Sequence, residues 1–118
     1  MSFIAELAAM EGVVAAGEYA YRGDRFSYKG QLSEEHARMA SIMCRATSMG
    51  VHMQADIMEG VHSGCGVAPA DGWVVRGPRF TVCVMANVFC FLDNDKVSLN
   101  AVMGVLRREL AHMPQELI

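Results

Sequence analysis

The chain contains no Gly-x-x-x-x-Gly-Lys-Ser/Thr loop and no Gly-x-Gly-x-x-Gly turn, so it has neither glycine-rich signature of a nucleotide-binding enzyme. No stretch of ~18 consecutive apolar residues occurs, because charges or glycines interrupt every run, and this excludes a membrane-spanning helix. The opening residues MSFIAELAAMEG have no basic start before their apolar stretch and no cleavage pattern after it, so no signal peptide is expected. Four cysteines (Cys44, Cys65, Cys83 and Cys90) are scattered without a Cys-x-x-Cys pair. Without a leader, that pattern predicts reduced thiols in the cytoplasm rather than a disulfide framework. Basic residues are not in excess either. Ten Lys and Arg against 13 Asp and Glu give a net charge of −3, which argues against binding a nucleic-acid backbone. There is no repeat, low-complexity tract or linker.

What is present is apolar. The 118 residues are 53% hydrophobic, enough for one core and one domain over residues 1–118, and too apolar for a disordered tail. Ten methionines suggest adaptable apolar surface as well as core filler, because the unbranched thioether repacks easily.

Ser2 is positioned as the N-cap of a short helix carrying Ile4, Leu7 and Ala8 on one face, with Gly12 to close it. Val13 to Tyr21 is β-prone. A two-residue Gly23-Asp24 turn after it predicts a hairpin with Tyr21 opposite Phe26, Tyr19 opposite Tyr28 and Glu18 opposite Lys29. Ser33, with Glu34 and Glu35 behind it, starts a long helix running to about Gly60. Gly64, Gly66, Pro69 and Gly72 mark a loop. Strands follow at about Trp73–Arg76, Phe80–Met85 and Val88–Leu92, with Asp93-Asn94-Asp95 as a turn. A last helix carries Leu99, Val102, Met103, Leu106 and Leu110 on one face, and Arg107 and Arg108 near its end.

The long helix is the most informative segment. At ~100° per residue, Met39, Met43, Ala46, Gly50, Met53 and Ile57 form one apolar stripe. A second contains Ala37, Ala40, Cys44, Ser48, Val51, Ala55 and Met58. Arg38, Arg45, His52, Asp56 and Glu59 collect in a charged arc. A helix resting on one sheet with its back to water needs one apolar stripe; two stripes require two covered sides. Ala46 and Gly50, four apart, would let another backbone come close. Because the other helices are short and have the sheet to cover, the stripe from Met39 to Ile57 is expected to meet a second molecule.

The segments EGVVAAGEYAYRGDRFSYKG and FTVCVMANVFCFLDNDKVSLNAVMGVLRREL, in this order of elements, resemble the roadblock/dynein light-chain-like superfamily. Within it they look like a prokaryotic branch of uncharacterised stand-alone domains. The resemblance is one of hydrophobic spacing and glycines over nearly the whole chain. It implies an α+β fold with a five-stranded antiparallel sheet in the order 2-1-5-4-3, the long helix on one face and the terminal helices on the other. It also implies a homodimer formed by joining edge strands and packing long helices, and a role in binding or regulating small Ras-like GTPases or in scaffolding. Relatives favour glycine where this chain has Ala86-Asn87. Ala accommodates positive φ poorly, so a connection longer than two residues is expected there. Pro78 would blunt the edge of the third strand.

The chemical candidates are few. If Ala86-Asn87 is a two-residue turn, Cys83 and Cys90 face each other on adjacent strands as buried thiols, near enough for a strained disulfide. Cys65 lies between two glycines in an exposed loop, which suits a reactive thiol, but no Lys or Arg is near in sequence to stabilise a thiolate. His62-x-x-Cys65 has ligand-like spacing without a second pair, so no metal is expected. His52 and Asp56, four apart, read as ordinary helix surface. Arg22 with Arg25, and Arg76 with Arg79, bracket hairpin tips at opposite ends of the sheet and read as solubilising residues. Trp73 reads as core or interface.

The expectation is a cytoplasmic, non-catalytic, cofactor-free homodimer. Its interface would be Met39, Met43, Ala46, Gly50, Met53 and Ile57, rimmed by Arg38, Arg45, His52, Asp56 and Glu59, with a small Ras-like GTPase as a candidate partner. The alternative is a redox or sulfur-relay protein using Cys65. A ligand-sensing module of profilin-like or PAS-like shape would need an internal cavity.

Overall fold

A computed structural model describes residues 2–111. Its elements are α1 (Phe3–Ala9), β1 (Val13–Tyr19), β2 (Phe26–Gly30), α2 (Glu34–Val61), β3 (Gly72–Arg76), β4 (Phe80–Met85), β5 (Val88–Asp93) and α3 (Leu99–Leu110). The five strands form one antiparallel sheet in the order β2-β1-β5-β4-β3, as expected.

Each helix begins where a serine hydroxyl satisfies an otherwise orphaned amide. Ser2 accepts from the Ala5 amide at 3.2 Å, Ser33 from His36 at 3.1 Å and Ser98 from Ala101 at 3.1 Å. α1 ends at Ala9 with Met10 as its cap, so Gly12 belongs to the link into β1 and does not close the helix.

Alternation along the strands divides the core into two layers. On one side Ala16, Cys83, Met85, Val88, Cys90 and Leu92 meet Ile4 and Leu7 of α1 and Val102, Leu106 and Leu110 of α3. On the other, Tyr19, Val84 and Phe89 meet Cys44 of α2, with Phe26, Leu32, Ala40, Trp73, Val82 and Phe91 around them. The long helix therefore covers one face and the terminal helices the other. Gly17 sits where a Cβ would run into the Phe89 ring, so a side chain on β1 there would displace the centre of the second layer.

The β1–β2 register differs from expectation by two residues. Tyr19 pairs with Phe26, Gly17 with Tyr28, Glu18 with Ser27 and Ala16 with Lys29. The tip is wider than a Gly23-Asp24 turn. The Ala20 amide donates to the Arg25 carbonyl at 2.9 Å, and the Gly23 amide donates to the Ala20 carbonyl at 2.8 Å. Gly23, at φ +80°, ends a turn rather than beginning one. A slip of two preserves the faces, so Tyr19 still lies opposite an aromatic side chain. Glu18 loses Lys29 and instead accepts from the Ser27 hydroxyl at 3.2 Å.

The link between β4 and β5 is the two residues, Ala86-Asn87, that the expected strand bounds leave between them, not the longer connection that alanine argues for, with Met85 paired to Val88 and Ala86 at φ 54°. Strain at such a residue, of order 1–3 kcal/mol, persists only where the surroundings over-determine it. Here the Ala86 amide donates to the Asp71 carbonyl at 3.0 Å, and its carbonyl accepts from the Tyr19 hydroxyl at 3.4 Å. The Asn87 side-chain amide donates to the Tyr19 carbonyl at 2.8 Å. Pro78 falls in the β3–β4 connection beyond Arg76, so it leaves the β3 edge intact, again contrary to expectation.

Candidate functional site

α2 shows opposite character on its two long sides. Ala37, Cys44, Ser48 and Ala55 are buried against the sheet, with Ala37 fully inaccessible. Ser48 is the polar pin of that side. Its hydroxyl receives the Trp73 indole N–H at 2.8 Å and lies 3.1 Å from the Tyr19 hydroxyl, tying the helix to β3 and β1 together. Trp73 is thus held in the core layer, as expected. Ser41, also buried, turns its hydroxyl back onto the Ala37 carbonyl at 2.8 Å.

The other side is not covered by the chain. Met39 is 47% exposed, Met43 64%, Met53 65% and Ile57 65%. Ala46 is exposed as well, and a Cβ built on Gly50 meets nothing within 4 Å. All six residues of the first stripe therefore lie on an outward, open face. Ile42, Met49 and Val61 are exposed too and widen it. The periodicity carries them as well: at ~100° per residue Ile42 and Met49 fall on the flank of the stripe and Val61 beside Met43. The β3 edge of the sheet carries the exposed Val74 and Val75.

The charged arc is less uniform than the spacing suggested. His52 and Asp56 are exposed on the helix surface. Arg38 pairs with Glu35 at 3.3 Å. Arg45 is turned inward and donates its Nε–H to the Tyr21 carbonyl in the β1–β2 loop. Glu59 is turned toward the chain beyond the helix, accepting from the Gly64 amide at 2.9 Å and the Cys65 thiol at 3.2 Å. Those two bonds, the amide's first, hold its carboxyl below the usual range. Arg45 and Glu59 therefore brace local structure, whereas Arg38, His52 and Asp56 face solvent.

Cys65 is exposed, as expected, but its polar neighbour is a carboxylate, the opposite of the cation that activates a thiol. Cys83 and Cys90 face each other as a directly paired couple of buried free thiols. The hydrogen bond to Cys83, reinforced by burial, pushes the Cys90 thiol up. Burial pushes Cys44 up to about 11. Among the described residues no three His, Cys, Asp or Glu side chains gather as a metal site, and no helix is long and apolar enough to cross a membrane. One concavity, of about 660 Å³, is an open groove rather than an enclosed cavity. Val51, Met58, Trp73 and Met103 are among the residues that line it.

The fold has a solved counterpart. A Roadblock/LC7 domain from Streptomyces avermitilis superposes with a TM-score of 0.56 over 92% of this chain and 94% of that one, at 14% identity. No curated protein matches the chain. Residues 3–108 match the family described as "Uncharacterized conserved protein (DUF2173)". The chain belongs to that family, which here is built on a roadblock-like α+β fold.

Proposed function

We propose that this chain is a non-catalytic homodimeric protein that acts as a regulator or scaffold by protein–protein contact, with the outward face of α2 buried against a second copy. The roadblock/LC7-like fold often mediates protein–protein interaction and is typically non-catalytic. The observation that carries the reading is the uncovered apolar side of α2.

Its dimensions favour a self-complementary contact. From Met39 to Val61 the stripe runs for roughly 33 Å at ~1.5 Å per residue, and at about 10 Å wide it covers roughly 330 Å². That is a patch size that marks interaction surfaces, yet less than the ~800 Å² per partner of a stable interface. The β3 edge, with its free backbone groups and Val74 and Val75, can supply the remainder by pairing across a two-fold axis. Ala46 and Gly50 at the middle of the stripe allow the two helices to approach closely, and the methionines around them can repack to fit. A small Ras-like GTPase is the partner class this fold suggests, with Arg38, His52 and Asp56 at the margin of the paired helices providing polar specificity.

Gly50→Leu tests the arrangement. A side chain there meets nothing within the chain but would wedge two backbones apart. Light scattering should show twice the chain mass for the wild type and a shift toward one chain for the variant. A variant as dimeric as the wild type would refute helix pairing. The Cys65 relay is the weaker reading, because the carboxylate of Glu59 accepts its thiol hydrogen.

A further inference from the structure

Four arginines far apart in the sequence line one pocket. Arg22 and Arg25 of the β1–β2 loop meet Arg38 and Arg45 of α2 around a concavity of about 340 Å³. Half of the eight arginines of a chain with net charge −3 thus converge on one place. The sequence reading paired Arg22 only with Arg25, because nothing in the spacing shows that the hairpin tip leans over α2.

Carboxylates stand close to two of them, Arg25 and Arg38. Asp24, the acidic residue in the lining, stands 4.0 Å from Arg25, and Glu35 stands 3.3 Å from Arg38. Glu18 and Glu34 line neighbouring concavities that share Arg25 and Phe26, whereas among the described residues Arg22 and Arg45 have no carboxylate within 4.0 Å. One of the four is held in place. Arg45 donates its Nε–H to the Tyr21 carbonyl and passes over Gly23, where a Cβ would come within 3.2 Å of that nitrogen. Gly23 therefore serves both its own positive φ and the approach of Arg45. Phe26 and Ile42 add apolar wall.

We propose that this pocket binds a small phosphate monoester. A carboxylate offers two oxygens and one charge. A phosphate monoester offers three terminal oxygens and a charge near ~−2, so several of the four guanidinium forks can engage it at once. The volume lies at the small end of ligand clefts, room for a phosphate with a compact body against Phe26. The site uses none of the six core residues of the proposed dimer face but shares Arg38 and Ile42 with its margin, so Arg25→Ala, which lies outside that face, separates loss of the anion site from loss of dimerisation.

The test titrates the full chain at low ionic strength with glycerol 3-phosphate, and with glycerate as the single-carboxylate arm, following backbone amides by NMR. Saturable shifts centred on Gly23 and Asp24 are expected. Arg25→Ala or Arg38→Ala, both at exposed side chains, should each weaken binding about tenfold, whereas Arg107→Ala on α3 should leave it unchanged. Absence of saturable shifts, equal weakening by Arg107→Ala, or glycerate binding as tightly as the phosphate ester would overturn the proposal.

Discussion

The two long sides of α2 are both largely apolar and meet opposite fates. Toward the sheet lie small side chains, Ala37, Cys44, Ser48 and Ala55, which let the helix sit close and fix its position through the Ser48 hydroxyl. Away from it lie large flexible ones, Met39, Met43, Met53 and Ile57, which touch little of their own chain. Small residues with one polar pin make a permanent contact that specifies the fold. Long, unbranched thioethers around a small centre suit a surface that forms and repacks on association. One helix thus carries both the intramolecular and the proposed intermolecular contact, and perturbing each side should give different signatures.

The largest effect is expected on the sheet side. Cys44→Asp would bury an uncompensated charge between α2 and the second core layer and should cost about 3–5 kcal/mol in urea unfolding. Alkaline pH probes the same position more gently. The folded thiol titrates near 11 against an ordinary 9.0, so the unfolded chain ionises first. Stability from Cys44 is complete below pH 9 and lost as pH rises through 11. That loss amounts to about 2–3 kcal/mol and should be read as the difference between wild type and Cys44→Ala, because burial also raises Tyr19. Ser48→Ala leaves the Trp73 N–H and the Tyr19 hydroxyl without their shared partner and should cost about 1–2 kcal/mol, with a change in Trp73 fluorescence. On the outward side, Gly50→Leu should stabilise the dissociated chain by about 0.5–1 kcal/mol through helix propensity while weakening its association. A large loss of monomer stability there would erase the contrast.

Most of the architecture was legible because it rests on local rules. The serine caps, the alternating strands and the two stripes of α2 follow from backbone chemistry and periodicity, and the strand order came with the family resemblance. The errors lie where tertiary contacts decide. The Gly23-Asp24 turn was chosen from local preference, whereas the hairpin tip is set by bonds across Ala20, Gly23 and Arg25 and by Arg45 reaching the Tyr21 carbonyl. Ala86 takes a conformation its side chain disfavours because Tyr19 and Asp71 clamp the turn from elements remote in sequence. Helical spacing placed Arg45 and Glu59 in one solvated arc, but it carries no information about the loops toward which those side chains turn. The arginine pocket was invisible for the same reason.

The central claim is that the open side of α2 meets the same side of a second copy. Mixing chains labelled at methionine methyls with chains labelled elsewhere, and recording intermolecular nuclear Overhauser effects, tests it most directly. Contacts from Met43 and Met53 of one protomer to Ala46, Ile57 and methionines of its partner are the predicted result; a dimer in solution whose intermolecular contacts avoid this stripe would contradict the account.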